Sequence, residues 1–358
     1  MKMSSSQRFL PLLLFVALVG LILFGMVGCQ GVPTAEQSGG PGGNANDAGG
    51  TTTQPITVHV ASLKGPTSIG LVSFIDKAKN NPGSLTNSYD FTVFGTGGTA
   101  DTVDAILAGL VSNSTDIALV PANLAATLYN QEGVDIQVLD INTLGVLHVV
   151  SADASVNSLA DLAGRTVLTT GKGATPEYVL STLLAANGVQ NVNLEFKSEA
   201  TELAAALVSD PTAIAVLPEP YVTAVTSQDP SLTPRIDLTD AWNNSMADGS
   251  QLVTSVTIVR SGFAAEHPQA VQEFLEQQRL SVDSVNADPA AAAQLVVASG
   301  IIEKAAVAEL AIPRCNLVCV TGADAKTYLN GYLAALFAQN PASVGGKLPA
   351  DDFYYPSN

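Results

Sequence analysis

Cations, histidine, tryptophan and cysteine are all scarce in this sequence. Its 358 residues hold 15 Lys and Arg against 32 Asp and Glu, a formal charge of −17. Nucleic acid attracts clustered Lys and Arg, so this balance argues against it as a partner. With only three cysteines, at 29, 315 and 319, no disulfide framework holds the fold. The three histidines stand far apart at 59, 148 and 267, and neither His-x-x-x-His nor Cys-x-x-Cys spacing occurs, so zinc has no evident site. Gly-x-Ser-x-Gly and the P-loop are missing too. Gly171-Lys172-Gly173 is too short to be one. No metal and no cofactor is therefore expected, and no catalytic constellation of nucleophile and base is legible.

What is present begins with an address. Lys2 and Arg8 precede an almost unbroken apolar run from Phe9 to Val27, which stops at Gly28-Cys29. This order is that of a secretory signal. A run of roughly 20 residues is also long enough to span a bilayer, so an uncleaved anchor is the alternative. Met26-Val27-Gly28-Cys29 resembles the lipobox of bacterial lipoproteins, with Met where Leu is usual. That resemblance implies a signal peptide over 1–28, cleavage before Cys29, lipidation of Cys29, and a place on the extracytoplasmic face of the cell membrane. Residues 29–54 are rich in Gly, Ser, Thr, Asn and Pro, too poor in apolar surface to fold, and read as a flexible tether.

The remaining residues suffice for two lobes with separate cores. Alternation over Ile56–Ala61 predicts a strand, and Lys64-Gly65-Pro66-Thr67 a turn into a helix over 68–79. A strand over Tyr89–Phe94 leads through Gly95-Thr96-Gly97-Gly98-Thr99 into a helix over Ala100–Leu110. Strand Asp116–Val120, turn Pro121-Ala122-Asn123 and helix Leu124–Tyr129 follow. Strands over Ile136–Leu139 and Leu144–Val150 come next. The pattern then restarts with strand Thr166–Thr169, loop Gly171–Pro176 and helix Glu177–Asn187. Further units lie over 194–197, 201–207 and 213–217. Strand Leu252–Val259 introduces a tail read as all-helical, with helices over 268–286, 289–299 and 323–338. Strands alternating with helices, each ending in a Gly or Pro turn, predict parallel α/β lobes. Cys315 and Cys319, on a segment expected to be extended, would lie too far apart to bridge and read as buried apolar fillers.

Residues 55–358 resemble the extracytoplasmic solute-binding proteins of ABC importers, in the branch of nitrate, sulfonate, taurine and thiamine-precursor binders. Five stretches carry the resemblance: Gly95–Leu110, Asp116–Pro121, Ser158–Pro176, Ala215-Val216-Leu217-Pro218-Glu219-Pro220, and Phe263 with Glu266–Val271. It implies an α/β, two-lobed type II periplasmic-binding-protein-like fold with two crossover strands and a ligand cleft between lobes. Lobe I would take 55–147 plus 256–358 and lobe II 148–255, with crossovers near Val146–Val150 and Val253–Val259. It also implies a monomer that captures a small-molecule solute and delivers it to an ABC permease and, through it, an ATPase subunit. An enzyme of cofactor-precursor biosynthesis on the same fold and a ligand-sensing lipoprotein are the alternatives.

Ligands of open α/β sheets sit beyond the carboxyl ends of the strands. The candidate ligand-binding residues follow from that rule. Gly97, Gly98 and Thr99 stand at one helix start and Gly173, Ala174 and Thr175 at another, where backbone N–H groups and the helix dipole favour an anion or carbonyl oxygen; either is also ordinary turn chemistry. Lys64, Gly65, Pro66 and Thr67 end the first strand, and Pro121 and Asn123 end another. Glu219 and Tyr221 follow Leu217; Glu219 is either a cleft carboxylate for a cationic or N–H-bearing ligand or a helix-start charge. Few cations stand at these loops: Lys64, Lys172 and perhaps Arg165. Trp242, the only tryptophan, either walls the cleft or packs at the surface, and His59 and His148 read as core or hinge residues.

Overall fold

The computed structural model describes residues 54–96, 100–170, 172–173, 175–246 and 248–356. The expected signal, Cys29 and the expected tether as far as residue 53, and Gly97, Gly98, Thr99 and Ala174 of the candidate site, lie outside them. In chain order the elements begin with β1 (Thr57–Lys64), α1 (Pro66–Ile69), α2 (Val72–Asn80), β2 (Ser88–Thr96), α3 (Ala100–Val111), β3 (Ile117–Pro121), α4 (Ala122–Tyr129) and β4 (Ile136–Leu144). A second group follows: β5 (Leu147–Ser151), β6 (Thr166–Thr170), α5 (Thr175–Ala186), β7 (Asn193–Lys197), α6 (Ala200–Ser209), β8 (Ile214–Pro218), α7 (Tyr221–Gln228), β9 (Thr233–Asp237) and α8 (Leu238–Ser245). The chain ends with β10 (Val253–Arg260), α9 (Ser261–Glu266), α10 (Pro268–Ala287), α11 (Pro289–Ala298), α12 (Ala305–Ala311), β11 (Leu317–Val320) and α13 (Gly322–Gln339).

The strands form two sheets, one ordered β11-β4-β10-β3-β1-β2 and the other β7-β6-β8-β5-β9. The architecture is thus the two-lobed α/β fold, with two chain segments passing between the sheets. The first sheet draws its strands from residues 57–144 and 253–320, the second from 147–237. Parallel strands covered on both faces read as continuous apolar runs, as β3 (Ile117-Ala118-Leu119-Val120) and β8 (Ile214-Ala215-Val216-Leu217) do; all eight residues are buried.

Several expectations need correction. The lobes are not purely parallel: β10 runs antiparallel to β3 and β4, and β5 antiparallel to β8 and β9. Each strand that follows a crossing enters its sheet in the opposite direction, and strand propensity carries no sign of direction. The expected strand over 144–150 is broken, with β4 ending at Leu144 and β5 starting at Leu147. Between them, a Cβ on Gly145 would meet Thr239 Oγ1 at 2.2 Å and Leu252 Cδ2 at 2.8 Å, so only glycine fits where the two passing segments touch. The tail is not all-helical either, because β11 extends the first sheet beside β4. Cys315 ends a single 3₁₀ turn and is buried, whereas Cys319 lies on β11 and is half-buried; both are free thiols.

One apolar cluster runs through both sheets. It joins Val120, Ile141 and Val256 to Leu147, Val149 and Val216, and takes in Leu329, Tyr332 and Leu333 of α13. Trp242 belongs to it, fully buried, with its ring centroid 5.5 Å from that of Tyr332 and Nε1 donating to Ser250 Oγ at 3.1 Å. Trp242 therefore neither walls a cleft nor packs at the surface. A separate aromatic cluster of Phe74, Tyr89, Phe91 and Phe274 fastens α2 and α10 to the outer face of β1–β2. Among the described residues, no helix is long and apolar enough to cross a membrane.

Candidate functional site

Four strands end where helices begin. β1 stops at Lys64 before the Gly65 turn, whose φ of 113° is open to glycine alone. β3 stops at Pro121, which starts α4; β6 stops at Thr170 before α5; β8 stops at Pro218, and a cis Glu219–Pro220 bond turns the chain into α7. These turns, with the Ser198-Glu199 turn from β7 into α6, surround one cavity of about 380 Å³. That volume lies within the range of small-molecule sites.

Ten of the expected residues line it together: Lys64, Gly65, Pro66, Thr67, Pro121, Asn123, Gly173, Thr175, Glu219 and Tyr221. The sequence reading missed four kinds of contributor. Ser198 and Glu199 belong to a strand-to-helix turn and were open to the same rule. Val146, from the first passage between the sheets, and Thr254, the second residue of β10, line the cavity where the chain leaves and re-enters the first sheet. Ile301, between α11 and α12, comes from a distant helical segment that no local signal points to. Val103 of α3 completes the apolar wall with Leu63 and Leu124. The other cations contribute nothing: Arg165 is held by Asp153 at 2.6 Å and Ser155 at 2.7 Å, and Lys172 does not line the cavity.

The two sides touch across the cavity. Thr175 Oγ1, at the start of α5, donates to Asn123 Oδ1 of α4 at 3.0 Å. One partner follows a strand of the first sheet and the other a strand of the second.

Glu219 carries the least ordinary electrostatics. Its side chain is closed to solvent, yet it is an acid. Oε2 accepts from Thr223 N at 3.1 Å, an N–H of the first turn of α7 that has no intrahelical acceptor, while Oε1 has no hydrogen-bond partner. Arg314 Nη1 stands 3.9 Å from Oε1, an ion-pair distance too long for a hydrogen bond. Burial raises the pKa of Glu219, and the Thr223 hydrogen bonds and then the charges of His148 and Arg314 oppose that rise. Of the two readings left open by sequence, the geometry shows the helix-start one, a carboxylate accepting from the first turn of α7; the side chain stands beside the cavity but is closed to solvent.

The histidines take no part in the cavity. His59 is half-exposed on β1 with Nδ1 3.6 Å from Asp90, so it is not a core residue; His148 Nδ1 is 3.9 Å from Asp237. Among the described residues, no group of three or more His, Cys, Asp and Glu is arranged to hold a metal.

This arrangement of turns and crossings has relatives. Residues 110–292, from the end of α3 into α11, match the family described as NMT1/THI5 like. The chain belongs to the NMT1/THI5-like family. Solved structures share the fold of this member at low identity. An ABC transporter protein from Parabacteroides distasonis is 22% identical with a TM-score of 0.70, the alignment covering 84% of this chain and 99% of that one. The periplasmic aliphatic sulphonate binding protein SsuA of Escherichia coli is 15% identical, TM-score 0.66, covering 85% and 93%. The alkanesulfonate-binding protein SsuA from Xanthomonas axonopodis pv. citri, bound to MOPS, is 15% identical, TM-score 0.57, covering 83% and 96%. No curated protein sequence matches the chain.

Proposed function

We propose that this protein is the substrate-binding lipoprotein of an ABC importer, which captures a small solute in the cleft and delivers it to a membrane permease. The observation that carries the reading is the cavity itself. Strand ends of both sheets converge on it, with Val146 of the first connecting segment and Thr254 at the start of β10, so a ligand bound there contacts both sides at once. A site built in this way couples occupancy to the angle between the two sides, because only a closed arrangement makes all the contacts. The Asn123–Thr175 hydrogen bond is a contact of that closed kind. Val146 and the segment before Val253 are where bending would be absorbed, and lobes over 55–147 plus 256–358 and over 148–255 are the bodies that would move.

Anchoring belongs to the same proposal. A signal over 1–28, lipid on Cys29 and a tether to residue 54 would hold the protein on the extracytoplasmic face while leaving it reach, on the order of 25–30 Å by random-coil scaling. The sulfonate binders among the structural relatives make a sulfonate-like anion one ligand class; nitrate, taurine-like solutes and pyrimidine or thiamine-precursor-like heterocycles are the others that the resemblance of the sequence implies. The lining offers binding groups but no nucleophile–base pair, which favours capture over turnover.

Thermal-shift screening of the protein against nitrate, sulfonates, taurine, pyrimidines and thiamine precursors tests this. A ligand at 100 times its Kd adds about 2.7 kcal/mol, and a melting point raised by several degrees is expected for at least one of them. A flat response across the whole set would defeat these ligand classes.

A further inference from the structure

The hydrogen bond from Thr175 to Asn123 across the cavity is backed at both ends by one stretch of chain. Behind Thr175, Tyr332 of α13 is fully buried, its ring centroid 5.5 Å from that of Trp242 on α8. Behind Asn123, the 3₁₀ turn Pro341–Val344 that follows α13 takes Nδ2 of Asn123 on the carbonyl of Ser343 at 3.5 Å. α13 comes after the last strand of the first sheet, whereas α5 and α8 follow strands of the second, so Tyr332 is buried where the two sides meet.

Each end also holds a hydroxyl with nothing to bond. Tyr332 Oη and Ser343 Oγ are closed to solvent, and neither has a hydrogen-bond partner among the described residues. The polar neighbour of Tyr332 is Thr175: burial raises the pKa of the phenol, and the Thr175 side chain opposes that rise. Thr175 Oγ1, however, gives its one proton to Asn123 Oδ1 at 3.0 Å. α13 has no room to settle closer, because a Cβ on Gly331 would stand 2.4 Å from Ser250 Cβ. A buried hydroxyl without a partner costs free energy that water would otherwise supply. Parting the two sides releases Thr175 and Asn123 from each other and admits water between them, which gives both hydroxyls a partner.

We propose that Tyr332 and Ser343 set the balance between the open and the closed cleft, their hydroxyls acting as a brake on closure. Neither lines the cavity. They weaken the hold on every solute alike, by lowering the closed fraction rather than by touching the ligand. This rests on the capture reading and adds to it the residues that tune its affinity.

Distances across the mouth of the cavity read the balance with no solute present. Spin labels on unnatural residues in place of the exposed Thr201 and Glu303, close in sequence to Ala200 and Ile301 of the lining, leave the native thiols untouched. Double electron–electron resonance on the full chain in detergent then gives a shorter and a longer distance. Tyr332→Phe, which keeps the ring, and Ser343→Ala should each raise the ratio of short to long by about fivefold or more, the scale of one relieved buried hydroxyl. Neither should lower the melting point, since no bond is lost. An unchanged or smaller ratio in either variant overturns the proposal. So does a lowered melting point, because the hydroxyl was then bonded. A single distance in the wild type and both variants overturns it as well, and capture is then judged by the thermal-shift panel, which does not depend on these residues.

Discussion

Buried acids set the chemistry of this protein at the residue scale, and Asp140 is the clearest outside the cleft. It lies on β4, closed to solvent, with Gln278 Nε2 3.3 Å from Oδ1 and Cys319 Sγ 3.4 Å from Oδ2. Burial pushes its pKa up to about 7, and hydrogen bonds from Thr257, Cys319 and Gln278 hold it from rising further. The native state therefore keeps a proton that the unfolded chain releases near pH 4, at about the ordinary Asp value. Stability from this group is complete below that value and is lost as pH rises to about 7. Relative to Asp140→Asn, the wild type should lose on the order of a few kcal/mol across that window, read by denaturant melts at pH 4.5 and 8. A parallel dependence in the two proteins would contradict this. Glu273 has the opposite sign. Burial alone would raise its pKa, but bonds from Thr86 N, Asn87 N, Asn87 Nδ2 and Tyr89 Oη outweigh that and lower it. Its contribution is present above the unfolded value and disappears as pH falls through the native one. Glu273→Gln should therefore melt lower at pH 7 by roughly 1–3 kcal/mol, with a difference that shrinks towards pH 3.

At the scale of elements, the crossing between sheets depends on close approach. Gly145 has Thr239 and Leu252 inside normal contact distance of any Cβ, and Asn316 Nδ2 donates to its carbonyl. Gly145→Ala should cost about 1–3 kcal/mol by overpacking, whereas Gly133→Ala, with open space around it but a φ of 82°, should cost less; comparative thermal melts decide. Ser158 and Asp161 form a reciprocal cap on the short turn before β6, with Ser158 N to Asp161 Oδ2 at 2.8 Å. Removing it by Ser158→Ala should cost about 1 kcal/mol, seen as a lowered denaturation midpoint. These elements also show what sequence could and could not deliver. Turns such as Lys64-Gly65-Pro66-Thr67 and Thr175-Pro176 were legible because Gly, Pro and Thr constrain the backbone locally. The directions of β5 and β10 were not, since pairing is decided by residues far along the chain. Nor was the burial of Trp242, because its neighbours Tyr332 and Ser250 come from later segments. Glu219 was legible as a choice between helix cap and cleft acid; tertiary structure places it at the start of α7 with Oε2 accepting from Thr223 N and its whole side chain buried.

On the scale of the whole molecule, the order of strands explains why one cavity collects so many turns. β1, β3, β6 and β8 each pass into a helix at the same cavity, and the chain passes twice between the two sheets. On the proposed capture function, the ligand is held there by enclosure. A side chain that fills the cavity should therefore abolish binding without unfolding either sheet. The most direct measurement is equilibrium dialysis of the full chain against the solute giving the largest thermal shift, with Thr175→Trp run in parallel. The account predicts one solute bound per chain, recovered chemically unchanged, and none bound by the variant. Conversion of the solute to product, or equal binding by Thr175→Trp, would contradict it.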